Sequence, residues 1–254
     1  ADILTSDLRN MLQKRFGGCG VGYVQVTSRI SGYRPTVGHS FSGWNSHFTT
    51  DSIGFDRSRQ DISNSYSQAS AGASVTLKGQ RKYTSLLDTC QVSTFYLLAP
   101  DSVVLSAEVN GREPVTYALA GDSALQAVSV RGNIGSVRWK VLKSAPNALF
   151  YGVTMDPESG IVVDNFSTRG SSQQLGNIPM KILRDYNRLR PYDLIVLQYG
   201  LNVAFEGGVN YSYYKNPMIK VVEHLRKAFP QASILIVGVG DREHRDEDGN
   251  LRTM

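Results

Sequence analysis

The 254-residue chain has 41% hydrophobic and 19% charged residues, with 27 basic against 22 acidic side chains and a formal net charge of +5. This composition excludes a disordered polymer and allows one large domain or two small ones. The basic residues are scattered (Lys14-Arg15, Arg57, Arg59, Arg81-Lys82, Arg226-Lys227) and no aromatics interleave them, so no nucleic-acid partner is expected, and no apolar run is long enough to span a membrane.

In chain order, Leu4, Leu8, Met11, Leu12 and Phe16 recur at helical spacing, and Gly17-Gly18 follow as a stop, which predicts an amphipathic helix over 2–16. Residues 20–70 are rich in Ser, Gly, Thr and aromatics. Apart from a short strand at "GYVQV" they read as loop. From about residue 72 the texture is β: "ASVTLKG", "QVSTFYLLA", "SVVLSAEVNG", "VTYALA", "QAVSV", "VRWKVL" and "ALFYGVTM" are short, β-rich and separated by turn residues. Such a series suggests a β-sandwich or jelly roll. After residue 160 the period changes again. "GIVVDNF" reads as a strand, 171–190 as a helix broken or delayed by Pro179, and "YDLIVLQ" as a buried strand. Residues 212–229 read as a second helix and "SILIVGVG" as another buried strand. A βαβαβ series implies a parallel sheet.

The expected organisation is an α/β domain formed by 1–24 and 156–254, a loop-rich connection over 25–71, and an inserted β-sandwich over 72–155. Cys19 and Cys90 do not form a metal motif, and a single disulfide between them stays open. No stretch reads as a signal peptide. The abrupt first helix and the open end at Met254 suggest a fragment.

In an open parallel sheet, ligands bind beyond the carboxyl ends of the strands. Two such ends are unusual here: "STRGSS" places Gly170 in a turn, and "LQYGLN" places Asn202 at the rim. A backbone N–H and a carboxamide N–H that converge on one point form an oxyanion hole for acyl transfer. Either residue alone reads equally well as a turn glycine or a loop cap; the pair favours function.

"STRGSS" and "LQYGLN" resemble blocks II and III of the SGNH, or GDSL-like, hydrolases. "ADILTSDLRNMLQKRFGGCGVGYV" is similar to the stretch after the nucleophile motif in a bacterial subgroup of these enzymes. "YGVTMDPESGIVVDNFSTRGSS" is similar to that subgroup's return from an inserted β-sandwich. The resemblance implies a flavodoxin-like three-layer α/β/α parallel sheet interrupted by a jelly-roll module. It also implies a serine esterase removing O-acyl, above all O-acetyl, groups from a carbohydrate, with Gly170 and Asn202 as oxyanion donors. No cofactor or metal is implied, since serine acyl transfer needs neither. The implied location is periplasmic or extracellular. Where the subgroup reads G-T-N-E, this chain has Gly200, Leu201, Asn202 and Val203, so the glutamate is missing. Two other readings stay open: a non-catalytic glycan-binding protein on the same fold, and a lipase-like acylhydrolase.

The family's Gly-Asp-Ser and Asp-x-x-His strings both occur, as Gly121-Asp122-Ser123 and Asp241-Arg242-Glu243-His244. A triad of Ser123, Asp241 and His244 is therefore an alternative. It is set aside because a nucleophile elbow needs a helix after the serine. Ser123 is instead followed by β-rich sequence, and "AGDS" reads as a hairpin turn. On this reading the serine and the Asp–His pair lie outside the chain. Of the other histidines, His224 reads as a surface or satisfied residue, and His39 and His47 are not at metal-ligand spacing. Trp44 and Tyr33 read either as part of a sugar-stacking surface or, the favoured reading, as packing under the β module.

Overall fold

The computed structural model describes residues 2–51, 53–79, 90–167, 174–200, 203, 210–240, 243–245 and 248–253. It divides into two units, Ala1–Thr168 and Arg169–Met254.

The first unit opens with α1 (Asp2–Phe16) and continues through nine strands: β1 (Gly22–Gln25), β2 (Val37–Phe48), β3 (Ser65–Gly79), β4 (Cys90–Leu98), β5 (Val103–Val109), β6 (Val115–Leu119), β7 (Gln126–Ile134), β8 (Ser136–Lys143) and β9 (Leu149–Met155). Every pairing among them is antiparallel, in the order β6-β5-β8-β3-β9-β4-β7, with β1 along β9 and β2 along β3. β3 serves two sets of neighbours: Ser67 faces Phe150 of β9, while 74–78 pair with β8. The sheet folds over on itself, because rings on strands that are not neighbours meet. Trp139 of β8 lies 5.6 Å from Phe95 of β4, and Trp44 of β2 lies 5.5 Å from Phe150 of β9. Alternate residues such as Leu105, Ala107, Val137 and Val141 fill the space between the faces.

The expected flavodoxin-like three-layer parallel sheet is therefore corrected: the described residues are dominated by an antiparallel sheet. Among the described residues, parallel pairing is confined to two strands of the second unit, β10 (Leu194–Gln198) and β11 (Ser233–Val237). The third strand expected at "GIVVDNF" does not form, and 161–167 is irregular. Its polar groups serve other partners: Asp164 accepts from the Tyr23 amide at 2.8 Å, and Asn165 from the Ser167 amide at 2.9 Å. The seven β-rich runs do form strands β3–β9; β8 alternates buried and exposed residues, whereas every residue of β9 is buried.

The loop reading over 25–71 is also corrected, since β2 and the start of β3 lie there. Their small polar residues lack an apolar alternation, but they pair along the backbone from Val37↔Gly79 to Phe48↔Ser65, with a bulge between Ser42 and Trp44. Serine ladders add to this, as in Ser46–Ser67 at 2.7 Å. Trp44 packs as expected and donates Nε1–H to the Ser74 carbonyl at 2.8 Å, whereas Tyr33 is 74% exposed.

His39 on β2 is shut in beside Arg34, and neither ring nitrogen makes a well-formed hydrogen bond. Burial first, then the Arg34 guanidinium, holds the imidazole down at about 4 against an ordinary 6.5, with a small counter-pull from the Val26 backbone. Between those values the unfolded chain binds the extra proton and the folded one does not, so stability rises with pH there and is lost as pH falls. The loss should reach on the order of 3 kcal/mol near pH 4. Thermal unfolding across this window should flatten in His39→Phe; an unchanged slope in the variant rejects the assignment.

The second unit holds a 3₁₀ turn (Gln174–Asn177), α2 (Met180–Leu189), β10, α3 (Ser212–Ala228), β11, β12 (Glu243–Arg245) and β13 (Leu251–Thr253). Pro179 stands just before α2, as its fixed φ favours. His224 of α3 bonds the Ile178 carbonyl at 2.8 Å, the satisfied role expected for it. The charged loop expected over 241–249 contains a short strand instead, β12, which pairs antiparallel with β13 beyond it.

Candidate active site

Two chain segments lead to the residues singled out in the sequence, one in each unit. In the first unit it is 161–167, held by α1 and the loop after it. The helix is reversed relative to its apolar stripe. Leu4, Leu8, Met11 and Phe16 are exposed, while Ser6, Arg9 and Gln13 are buried. The irregular segment explains this, because its carbonyls need donors that a strand neighbour does not supply. Arg9 Nε donates to the Val163 carbonyl at 2.9 Å, and Gln13 Nε2 to the Ile161 carbonyl at 3.0 Å. The Ile161 amide donates to the Gly17 carbonyl at 2.9 Å. Tyr23 completes the support, its ring 5.4 Å from that of Phe166 and its hydroxyl donating to buried Asp61.

Gly22 allows the approach. Its φ is +68°, and a Cβ there would stand 2.3 Å from Asp164 Oδ1 and 2.8 Å from the Val163 carbonyl. Gly22→Ala should cost at least about 2 kcal/mol, from the left-handed backbone and the clash together. Denaturant unfolding measures it; a cost below about 0.5 kcal/mol would mean the segment moves aside freely.

In the second unit the segment is the exit of β10. The strand runs in register with β11 to Gln198↔Val237. Gly200 then turns the chain at φ +112°, with Val239 Cγ2 2.8 Å from where a Cβ would be. The Val203 amide closes the turn on the Gly200 carbonyl at 2.9 Å. Gly170 and Asn202 themselves lie outside the described residues.

Ser123 is exposed and lies between β6 and β7. Those strands stand at opposite ends of the sheet order, so the expected hairpin turn is in fact a crossing between edges. Asp122 shapes it: its amide donates to the Ala99 carbonyl at 2.8 Å, and its carboxylate accepts from the Ala124 amide at 2.9 Å. A strand, not a helix, follows the serine. Asp241 lies outside the described residues. His244 is placed by its backbone in β12, opposite Arg252. Among the described residues, no three of His, Cys, Asp and Glu group closely enough to hold a metal ion, and no helix is long and apolar enough to cross a membrane. The supporting residues Arg9, Gln13, Tyr23 and Asp164 escaped sequence reasoning. Their signal was the glycine-dense "GGCGVG", which marks a close backbone approach.

No protein-family model matches the sequence, and no curated protein is significantly similar to it. Among solved structures, the chain is similar to one described as a peptidoglycan O-acetylesterase in action, with TM-score 0.72 and 21% identity over 94% of this chain and 64% of that one. The chain thus spans less than two thirds of that enzyme's length. A family two carbohydrate esterase from Cellvibrio japonicus aligns with TM-score 0.33 and 11% identity, over 86% of this chain and 78% of that one. A carbohydrate-binding module from a Cellvibrio mixtus lichenase, in complex with cellotriose, aligns with TM-score 0.34 and 11% identity, over 55% of this chain and 98% of that one.

Proposed function

We propose that the protein is a serine esterase of the SGNH type that removes O-acyl groups, above all O-acetyl, from a carbohydrate outside the cytoplasm. The observation that carries this reading is the shared fold with a peptidoglycan O-acetylesterase, at TM-score 0.72 over 94% of the chain. The motifs at Gly170 and Asn202 supply the chemistry. A serine hydroxyl, deprotonated by histidine, attacks the acetyl carbonyl, and the carbonyl oxygen becomes an oxyanion. The Gly170 N–H and the Asn202 carboxamide donate to that oxygen. The intermediate collapses, the sugar oxygen leaves with the histidine's proton, and water then releases acetate from the acyl-enzyme. Ser123 is exposed on a strand-to-strand crossing, which disfavours it as the nucleophile. The serine and the Asp–His pair are accordingly assigned to a part of the protein outside these 254 residues.

The test is acetate release from O-acetylated peptidoglycan and from acetylated xylan by the full-length protein, with a fluorophosphonate to tag the nucleophile. Release together with one labelled serine is expected. Binding to either glycan without release or labelling would replace the esterase by a glycan-binding protein. Labelling at Ser123 would restore the triad set aside above.

A further inference from the structure

Cys19 lies in the loop after α1, and Cys90 opens β4 about 70 residues later. Neither is in a disulfide; Cys19 is half-buried and Cys90 wholly buried. The two come together: Cys90 Sγ reaches the backbone of Gly20, the residue after Cys19, and the Cys19 thiol reaches the side chain of Gln91, the residue after Cys90. No side chain intrudes at Gly20, where a Cβ would stand 3.0 Å from Cys90 Sγ and 2.0 Å from the Met155 carbonyl. The Cys19 thiol lies 3.7 Å from Gln91 Oε1. Asp156 is close enough to act on both sulfurs, yet these groups do not form a metal cluster. A thiol pair brought together, one member reachable from solvent and the other sealed behind it, is the arrangement of a dithiol that closes to a disulfide.

We propose that Cys19 and Cys90 form a thiol–disulfide site that is oxidised by a disulfide donor, with Cys19 attacking and Cys90 resolving. The neighbouring Cys90 thiol pulls the Cys19 thiol below its usual range, while Cys19, and then burial, push Cys90 far above. Cys19 is thus both the more acidic and the more accessible sulfur. Its thiolate attacks one sulfur of the donor. The donor S–S bond breaks, and the first thiol leaves carrying the proton that Cys19 shed. Cys90 then loses its proton and attacks the Cys19 sulfur of the mixed disulfide, releasing the second thiol. Two protein thiols become one disulfide, and the donor is reduced to two thiols. The bond ties the glycine-rich loop, and through it residues 161–164, to β4.

The experiment uses the full chain treated with glutathione disulfide or with dithiothreitol, then denatured and alkylated. After glutathione disulfide, the mass should fall by about 2 Da, neither cysteine should alkylate, and a peptide pair joined at Cys19 and Cys90 should appear. The melting temperature should rise by about 5–10 °C over the reduced protein. Cys19→Ser is near-isosteric at a half-buried position, so it should keep the reduced protein's circular dichroism and melting point while losing the shift. Full alkylation after oxidant, a stable glutathione adduct on either cysteine, or an undiminished shift in Cys19→Ser would each overturn the proposal.

Discussion

Trp139→Ala should destabilise the first unit by about 3–5 kcal/mol, the range for deleting a large aromatic from a closed core. Trp139 on β8 is 0% exposed. Its ring lies 5.6 Å from Phe95 and 5.7 Å from Tyr117, so it is packed from both sides of the folded sheet. The site cannot collapse cheaply, because the strands around it are paired on both edges and their positions are set by backbone register. A second cost adds to the cavity. Trp139 Nε1–H donates to the hydroxyl of Ser93 at 3.0 Å, and Ser93 is itself 0% exposed. Alanine leaves that hydroxyl buried without its donor. Trp139→Phe should separate the two terms, restoring much of the volume but not the hydrogen bond. Guanidinium unfolding with an unchanged m-value is the measurement. A loss under about 1 kcal/mol for the alanine variant would mean the two faces do not close on this residue.

The strand that carries Trp139 was legible because it alternates: Val137, Trp139 and Val141 point in, while Arg138, Lys140 and Leu142 point out. The ribbon of β2 and β3 was not legible for the opposite reason. Its stability comes from backbone pairing and serine hydroxyls, which leave no hydrophobic period to read. The parallel-sheet expectation failed at one element. "GIVVDNF" has the β-branched run of a buried strand, but Asp164 and Asn165 are committed to local and loop partners, and only the unit β10–α3–β11 carries the parallel pattern. The reversed face of α1 was hidden for a related reason. A stripe of leucines reads as the buried face unless the buried neighbour is known to be bare backbone, and then Arg9 and Gln13 belong inside. The candidate site was legible only as motifs, since Gly170 and Asn202 were singled out by residue type and by their place in the sequence after β-rich runs. The close backbone contacts at Gly22 and, separately, at Gly200 are not revealed by spacing.

Asn202→Ala in the full-length protein should lower kcat by about 100- to 1,000-fold, equivalent to roughly 3–4 kcal/mol of transition-state stabilisation. On the proposed mechanism, the carboxamide N–H meets the substrate oxygen only as it acquires charge, so the ground-state complex loses little and KM should hardly move. A neutral donor suits this task, since it stabilises the oxyanion without adding a charge that would perturb the histidine beside it. Gly200 supplies the left-handed backbone, and the Val203 amide closes on the Gly200 carbonyl at 2.9 Å. Asn202→Ala should therefore leave the melting temperature within about 2 °C of the parent, whereas Gly200→Ala, which brings a Cβ to within 2.8 Å of Val239 Cγ2, should lower it. Asn202→Asp is the sharper control. It keeps the shape but puts an acceptor where a donor is needed, and it should be no better than alanine near neutral pH. Full kcat in Asn202→Ala, or a loss of stability in place of a loss of turnover, would make the asparagine a loop cap and leave the oxyanion without its second donor.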